Sequence, residues 1–299
     1  MGKTESVPNC HLSLFRYEAF KIRKGGHVCL VLLFFLVLSI VFSYQDKLIF
    51  DDEDEYYYYS YMQGLAGKRT EEKSAYIRQE QERFQKIKEK QDKLLLEGNT
   101  DALMVLVESL RPYRGFRRVV ERENYLNENQ LDAFVYEGGY KKLTDWKENR
   151  DNRILMLLGM FLLVFSLCSV FALDKENGQE LLLQITRHGK VRRTRKKIFC
   201  AAIICVLSFV IVYLPQFYVF CRLYGLAEAG ESIRCMQMAG WSGMELPIWA
   251  WLLGQYVLRL LFMVVFGGIV LAFSAKLKNV FMTIVSLSLL ILVIGFCIL

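Results

Sequence analysis

The stretch IFCAAIICVLSFVIVYLPQFYVF, residues Ile198–Phe220, carries no charged side chain. Its apolar residues are continuous rather than alternating, and its 23 positions exceed the length of an ordinary buried strand, so it reads as one helix. About 20 such residues cross about 30 Å of hydrocarbon. There the backbone must satisfy its own hydrogen bonds, which a helix does. Four more runs of this kind accompany it: His27–Tyr44, Ile154–Leu173, Ile248–Phe273 and Val280–Leu299. The sequence therefore predicts an all-α, polytopic membrane bundle with five visible spans. Pro215 removes one backbone bond from the quoted run and predicts a kink there. Pro247, just ahead of the fourth run, suits a helix start.

The 299 residues are 54% hydrophobic, with a formal net charge of +7. The placement of the charge decides more than its sum. Nucleic-acid binding asks for a basic, aromatic-interleaved face on a soluble fold, whereas these cations lie beside the apolar runs. Arg16, Lys21, Arg23 and Lys24 precede the first run. Arg187, Lys190, Arg192, Arg193, Arg195, Lys196 and Lys197 lie between the second and third, with no acid among them, and Lys276 and Lys278 between the fourth and fifth. Cytoplasmic loops carry the excess of Lys and Arg, and these three segments share one side if every run crosses.

The expected arrangement follows: residues 1–26 a cytoplasmic interfacial helix, 27–44 the first span, 45–153 an extracellular helical domain, 154–173 the second span. Residues 174–197 are then a cytoplasmic segment, 198–220 the third span, 221–247 an extracellular loop, 248–273 the fourth span, 274–279 a cytoplasmic turn and 280–299 the fifth span. No small-x-small cleavage site ends the first run, so it reads as an uncleaved span. The last run reaches Leu299 without a polar stop.

Leu12, Phe15, Ala19 and Ile22 recur at helical spacing among cations. That pattern suits a helix lying in the membrane surface; a basic tail is the alternative. In the 45–153 segment, residues 71–96 lack Pro and Gly and are rich in helix formers. Thr70 supplies a cap, and Glu71 and Glu72 favour the first turn. Residues 101–111 form the neighbouring arm of a helical hairpin. Asp51–Glu55 lacks the loop spacing and glycine of a calcium loop, and reads as a solvated acidic patch beside interfacial tyrosines, Tyr56–Tyr59. Eight cysteines show no metal-binding spacing. Cys221 and Cys235 are either a disulfide or two thiols. Arg259 is the one charge deep inside a run. Such a residue usually faces a cavity or a partner, or serves a purely structural pairing.

Recognisable catalytic spacing is absent. No GxxxxGK[ST] cradle, HExxH or GxSxG occurs, so the chain reads as neither an enzyme nor a holder of a cofactor or metal. The most specific stretch is FALDKENGQELLLQITRHGK, Phe171–Lys190, followed by cations to Lys197. It resembles the coupling segment of permeases of the type-2 ATP-binding-cassette (ABC) family, Gram-positive bacterial branch. Asp174 or Glu176 is the acid, Gly178 the glycine, Leu181 and Leu182 the paired leucines, Thr186 the threonine, Gly189-Lys190 stands where Gly-Arg is usual, and Lys197 is the closing base. Leu181, Leu182 and Ile185 share one face of a short helix that Gly189 ends. Ser274–Asn279 and the stretch Tyr61–Ile77 are also similar to that branch.

The resemblance implies a membrane permease subunit of an exporter in the cell membrane. ABC ATPase subunits on other chains hydrolyse ATP, a second permease copy or a related permease completes a dimer, and a sixth helix completes the bundle. A protein that relays force or a signal without moving a substrate remains the alternative, and a membrane scaffold is a third.

Overall fold

A computed structural model describes residues 15–16, 18–21, 27–45, 50, 52–97, 100–145, 149–178, 189–226, 228–236, 245–277 and 279–298. The chain is all-α apart from one two-residue strand pair. Helices run in the order α1 (Val28–Gln45), α2 (Glu53–Leu65), α3 (Glu71–Glu97), α4 (Thr100–Leu110), α5 (Tyr113–Glu128), α6 (Glu137–Thr144), α7 (Arg150–Leu167), α8 (Ser169–Glu176), α9 (Gly189–Tyr224), α10 (Ile248–Lys276) and α11 (Val280–Ile298). Strands β1 (Gly67–Lys68) and β2 (Ala133–Phe134) pair antiparallel. Among the described residues, three segments are long and apolar enough to cross a membrane: Arg150–Glu176, Val191–Tyr224 and Ile248–Lys276. Val28–Tyr44 and Val280–Phe296 are shorter apolar helices.

The chain divides into two compact units. The first comprises Met1–Asp46, Leu143–Arg222 and Gln255–Leu299. Helix α7 is its most enclosed member, packed by α1 and α11. Met160, Leu163, Val164, Leu167, Met263 and Ile291 are buried together at its centre. Small residues let the helices close up: a Cβ on Gly267 would lie 2.6 Å from the Cys205 sulfur. The outward faces of α1, α9, α10 and α11 expose large apolar side chains such as Leu33, Val206, Val265 and Val293. Contiguous apolar surface of this extent needs a cover other than water.

Two buried serines bond backbone groups beside helix interruptions in this unit. Helix α9 continues through Pro215, and Ser39 of α1 donates to the Val212 carbonyl at 2.9 Å, in the turn the proline weakens. The break at Cys168 starts a new helix, α8, whose first N–H groups lack intrahelical acceptors. Ser274 Oγ of α10 accepts from Phe171 N–H and Ala172 N–H, each at 3.1 Å, and donates to the Cys168 carbonyl at 2.7 Å.

The second unit comprises Lys47–Lys142 and Leu223–Gly254. Asp52 caps α2 by accepting from Glu55 N–H at 2.6 Å. Thr70 caps α3 by accepting from Lys73 N–H at 3.3 Å. Helix α3 packs along α4, and α2 packs along α5. The α2–α5 approach is close: a Cβ on Gly115 would meet Tyr57 Cβ and Tyr58 N, both at 2.7 Å. Met62, Ile77, Phe84, Phe116, Val119 and Leu126 fill the interior.

This unit corrects the reading of residues 51–59. Tyr58 and Tyr59 are 1% and 8% exposed and belong to the unit's own interior, not to a membrane surface belt. The acids of α2 are not an unpaired patch, because each meets an arginine on α5 or in the turn before it, although Glu53 stays largely exposed. Arg111 reaches Glu53 at 4.0 Å, Arg114 reaches Asp54 at 3.7 Å and Arg118 reaches Glu55 at 2.8 Å. Farther along, buried Arg122 pairs with Glu137, which also accepts from Tyr58 Oη at 3.0 Å. Cys221 and Cys235 are both free thiols.

Candidate functional site

Helix α8 carries the first residues of the segment singled out by the sequence. Asn177 N–H returns to the Leu173 carbonyl and Gly178 N–H to the Lys175 carbonyl, each at 3.1 Å. Gly178 has φ +66°, the left-handed region that suits glycine after a helix C-terminus. The chain therefore turns sharply out of α8 at this residue. Of the two candidate acids, Asp174 is buried and Glu176 exposed.

Asp174 is the hub of an ionic cluster. Its Oδ1 takes Lys21, and its Oδ2 takes Lys197. Arg193 Nη2 stands 3.4 Å from Oδ2, while Arg193 Nε donates to Glu18 Oε1 at 2.5 Å. Lys197 also donates to the Val170 carbonyl and lies 4.8 Å from the centre of the Phe171 ring. Helical spacing explains the assembly. Arg193 and Lys197 are four apart on α9, and Glu18 and Lys21 three apart on the helical residues 18–21, so each pair shares a face. Phe15 and Phe199 add an edge contact at 5.8 Å.

The cluster is buried: Glu18 is 0% exposed, Lys197 2% and Arg193 8%. Two carboxylates face three cations: Asp174 meets all three, whereas Glu18 is held by Arg193 alone and its Oε2 is buried without a hydrogen-bond partner among the described residues. Taking such ions out of water is costly, and only dense mutual pairing offsets it. The arrangement is a mechanical joint. It fixes the N-terminal helical residues to the last turn of α8 and the first turns of α9, the two helices that bracket residues 179–188. Lys175 adds a further tie to the Ala275 carbonyl at the end of α10.

Leu181, Leu182, Ile185 and Thr186 lie outside the described residues. Gly189 is the first residue of α9, followed by Lys190; the short helix expected before it lies outside the described residues. Sequence reasoning had Asp174 and Lys197 in view but missed Glu18, Lys21, Arg193 and Ser274 as members of the same joint. The only signal in the chain was the i, i+4 spacing of Arg193 and Lys197 on a helix that begins before the apolar run.

Arg259 occupies a separate position in α10. It is 2% exposed. Its Nη2 donates to the Leu143 carbonyl at 2.5 Å, and its guanidinium lies 5.1 and 5.2 Å from the ring centres of Tyr213 and Tyr256. A desolvated guanidinium against aromatic faces gains about 2 kcal/mol. Asn152 and Gln216 form a second buried polar pair, Gln216 Nε2 donating to Asn152 Oδ1 at 2.7 Å. These contacts join Arg259 of α10 to α6 and α9 and to a tyrosine of its own helix. Among the described residues no group of three or more His, Cys, Asp or Glu could hold a metal ion. Comparison with protein-family models, with curated proteins and with solved structures yields no match to this chain.

Proposed function

We propose that the chain is the membrane permease subunit of an ABC exporter, multi-pass in the cell membrane with a cytoplasmic N-terminus. In this reading all five apolar helices cross, residues 45–153 are extracellular, and a sixth helix completes the bundle. Separate ATPase subunits grip residues 179–188, and a second permease completes the dimer. ATP hydrolysis in those partners drives export of a substrate whose class is unidentified. The supporting observation is the Asp174 joint. A push on the segment between α8 and α9 would be delivered to both helix ends at once, because buried ion pairs tie them together and to the N-terminal helical residues.

Purification of the tagged chain from its native membrane tests the reading. An ATPase subunit should co-purify, and Leu182→Asp should abolish permease-dependent stimulation of its hydrolysis. Absence of any nucleotide-hydrolysing chain from the complex would sink the proposal. So would labelling that puts Gln184 and Arg192 across the membrane from the N-terminus.

A second reading, force relay or sensing without transport, draws on the second unit. Arg122 Nη1 donates to the Cys235 carbonyl at 3.2 Å and Tyr125 Oη to the Arg234 carbonyl at 3.1 Å, so α5 holds the 228–236 loop. That loop accepts from Ile248 N–H at Glu231 and from Trp249 N–H at Ala229, each at 2.9 Å. A folded domain is thereby tied to the first turn of α10. Substrate movement in vesicles containing the ATPase complex favours export over this reading.

A further inference from the structure

The basic run before Ile198 is divided by the helix that carries it. Helix α9 begins at Gly189, well ahead of the apolar stretch. At about 100° per residue, Arg193 and Lys197 fall on the arc that continues into buried Cys200, Ala201 and Ile204. Both are consumed by Glu18 and Asp174. Arg192 and Arg195 fall on the opposite arc and are exposed. That arc continues without a break into Phe199, Val206 and Val210, which are 57%, 47% and 41% exposed. Neither Arg192 nor Arg195 joins an ion pair among the described residues.

We propose that Arg192 and Arg195, with the exposed Phe199 on the same arc of α9, form a binding surface for anionic phospholipid headgroups. The occupant follows from continuity. Whatever covers the apolar stripe of α9 also borders these two cations. A helix rises about 1.5 Å per residue, so Arg195 stands about 4.5 Å and Arg192 about 9 Å beyond Ile198. The headgroup layer on each side of the hydrocarbon is about 5–7 Å deep. Arg195 therefore falls within it and Arg192 just beyond it, each with a guanidinium fork matched to phosphate oxygens. Phe199, 57% exposed on the same arc and one position inside Ile198, sits at the inner edge of that layer, where apolar side chains dip toward the acyl boundary. A soluble acidic partner would match the charge but not the apolar neighbours. The inference does not depend on an ATPase partner.

The test uses the full chain in neutral detergent, titrated with phosphatidylglycerol or phosphatidylcholine and followed by native mass spectrometry. The wild-type chain retains phosphatidylglycerol in preference. Each cation removed weakens anionic-lipid affinity about fivefold, so Arg192→Gln with Arg195→Gln loses the tightest phosphatidylglycerol class by about 25-fold. Phosphatidylcholine binding and the melting temperature in phosphatidylcholine stay unchanged, and Arg192→Lys with Arg195→Lys restores most of the preference. Arg114→Gln with Arg117→Gln, an equal charge change on α5, leaves it intact. An unaltered preference in the first double variant overturns the proposal, as does an equal fall in the α5 variant. Loss of a co-purifying protein with lipid preference unchanged would assign the two arginines to a soluble partner instead and also overturn it.

Discussion

Both units bind helices together with charge, but they do so in opposite environments. In the first, five charged side chains converge on one buried point at Asp174. In the second, Arg111, Arg114 and Arg118, on α5 or in the turn before it, meet the acids of α2, and Arg122 of α5 meets Glu137 of α6. The outermost pair, Arg111 and Glu53, is 52% and 68% exposed, while the innermost, Arg122 and Glu137, is 2% and 10% exposed. Exposed ion pairs contribute about 0–1 kcal/mol, because water and salt screen them. Breaking a buried pair costs about 3–5 kcal/mol, because a bare charge is left behind. The first unit therefore places its electrostatics where one change disables everything. The second distributes them along a gradient, and only its inner end is indispensable.

The sharpest break of this comparison is Asp174→Ala. It strands Lys21 and Lys197 in a buried place and frees Arg193 from one of its two acids. A loss of about 3–5 kcal/mol is expected, seen as a fall in melting temperature and in the folded yield of the full chain in detergent. Cleavage by a protease around residues 179–188 should also accelerate. An unchanged melting temperature would show that the cluster is dispensable. The next effect belongs to the second unit and is steric. Gly115→Ala inserts a methyl group 2.7 Å from Tyr58 N, a backbone atom that cannot rotate away. Overpacking of this kind costs about 1–3 kcal/mol, and hydrogen exchange in α2 and α5 should rise while α7 stays protected.

The difference between the units also marks how far the sequence could be read. Five apolar runs are visible because a continuous stretch of Leu, Ile, Val and Phe has one stable backbone solution in hydrocarbon. The helix over Glu71–Glu97 is visible from its cap, its acids and the absence of breakers. The Asp174 cluster is not, because Glu18 and Arg193 are 175 positions apart, and no local pattern says which of seven neighbouring cations turns inward. Ser274 is a single hydroxyl in a turn-like stretch, and its work depends on a helix break about a hundred residues away. The α5 ladder was within reach. Arg111, Arg114, Arg118 and Arg122 recur every three or four residues, and an acid run stands upstream. The tyrosines beside that acid run misled because Tyr58 and Tyr59 pack into the interior of their own unit.

Alkaline pH separates the units by a different route. Burial first, and then the charge of Glu137, push the Tyr58 hydroxyl well above its ordinary range. Burial and Glu80 raise Tyr61 from 10.0 to about 12. A hydroxyl whose value is raised in the fold stabilises fully below the unfolded value. That contribution fades as pH climbs from about 10 through the folded value. The second unit should thus loosen progressively above about pH 10, with tyrosinate absorbance rising in step with loss of α2–α5 protection. Tyr61→Phe should blunt the dependence between about pH 10 and 12. An equally steep alkaline limb in that variant would exclude Tyr61 as a contributor.

The smallest effect tests the outer end of the ladder. Arg111 lies 4.0 Å from Glu53 and 3.8 Å from Glu108, all three at least half exposed. Arg111→Gln removes a charge that water already screens, so stability should move by no more than about 0.5 kcal/mol. Raising the salt concentration should erase even that difference, because the Debye length falls from about 10 Å at 0.1 M to about 3 Å at 1 M. The same salt step should leave the Asp174→Ala deficit almost untouched, since ions do not enter the buried cluster. A salt-insensitive loss of more than about 1 kcal/mol at Arg111 would mean that the ladder is cooperative along its length. The contrast between a concentrated joint and a graded one would then fail.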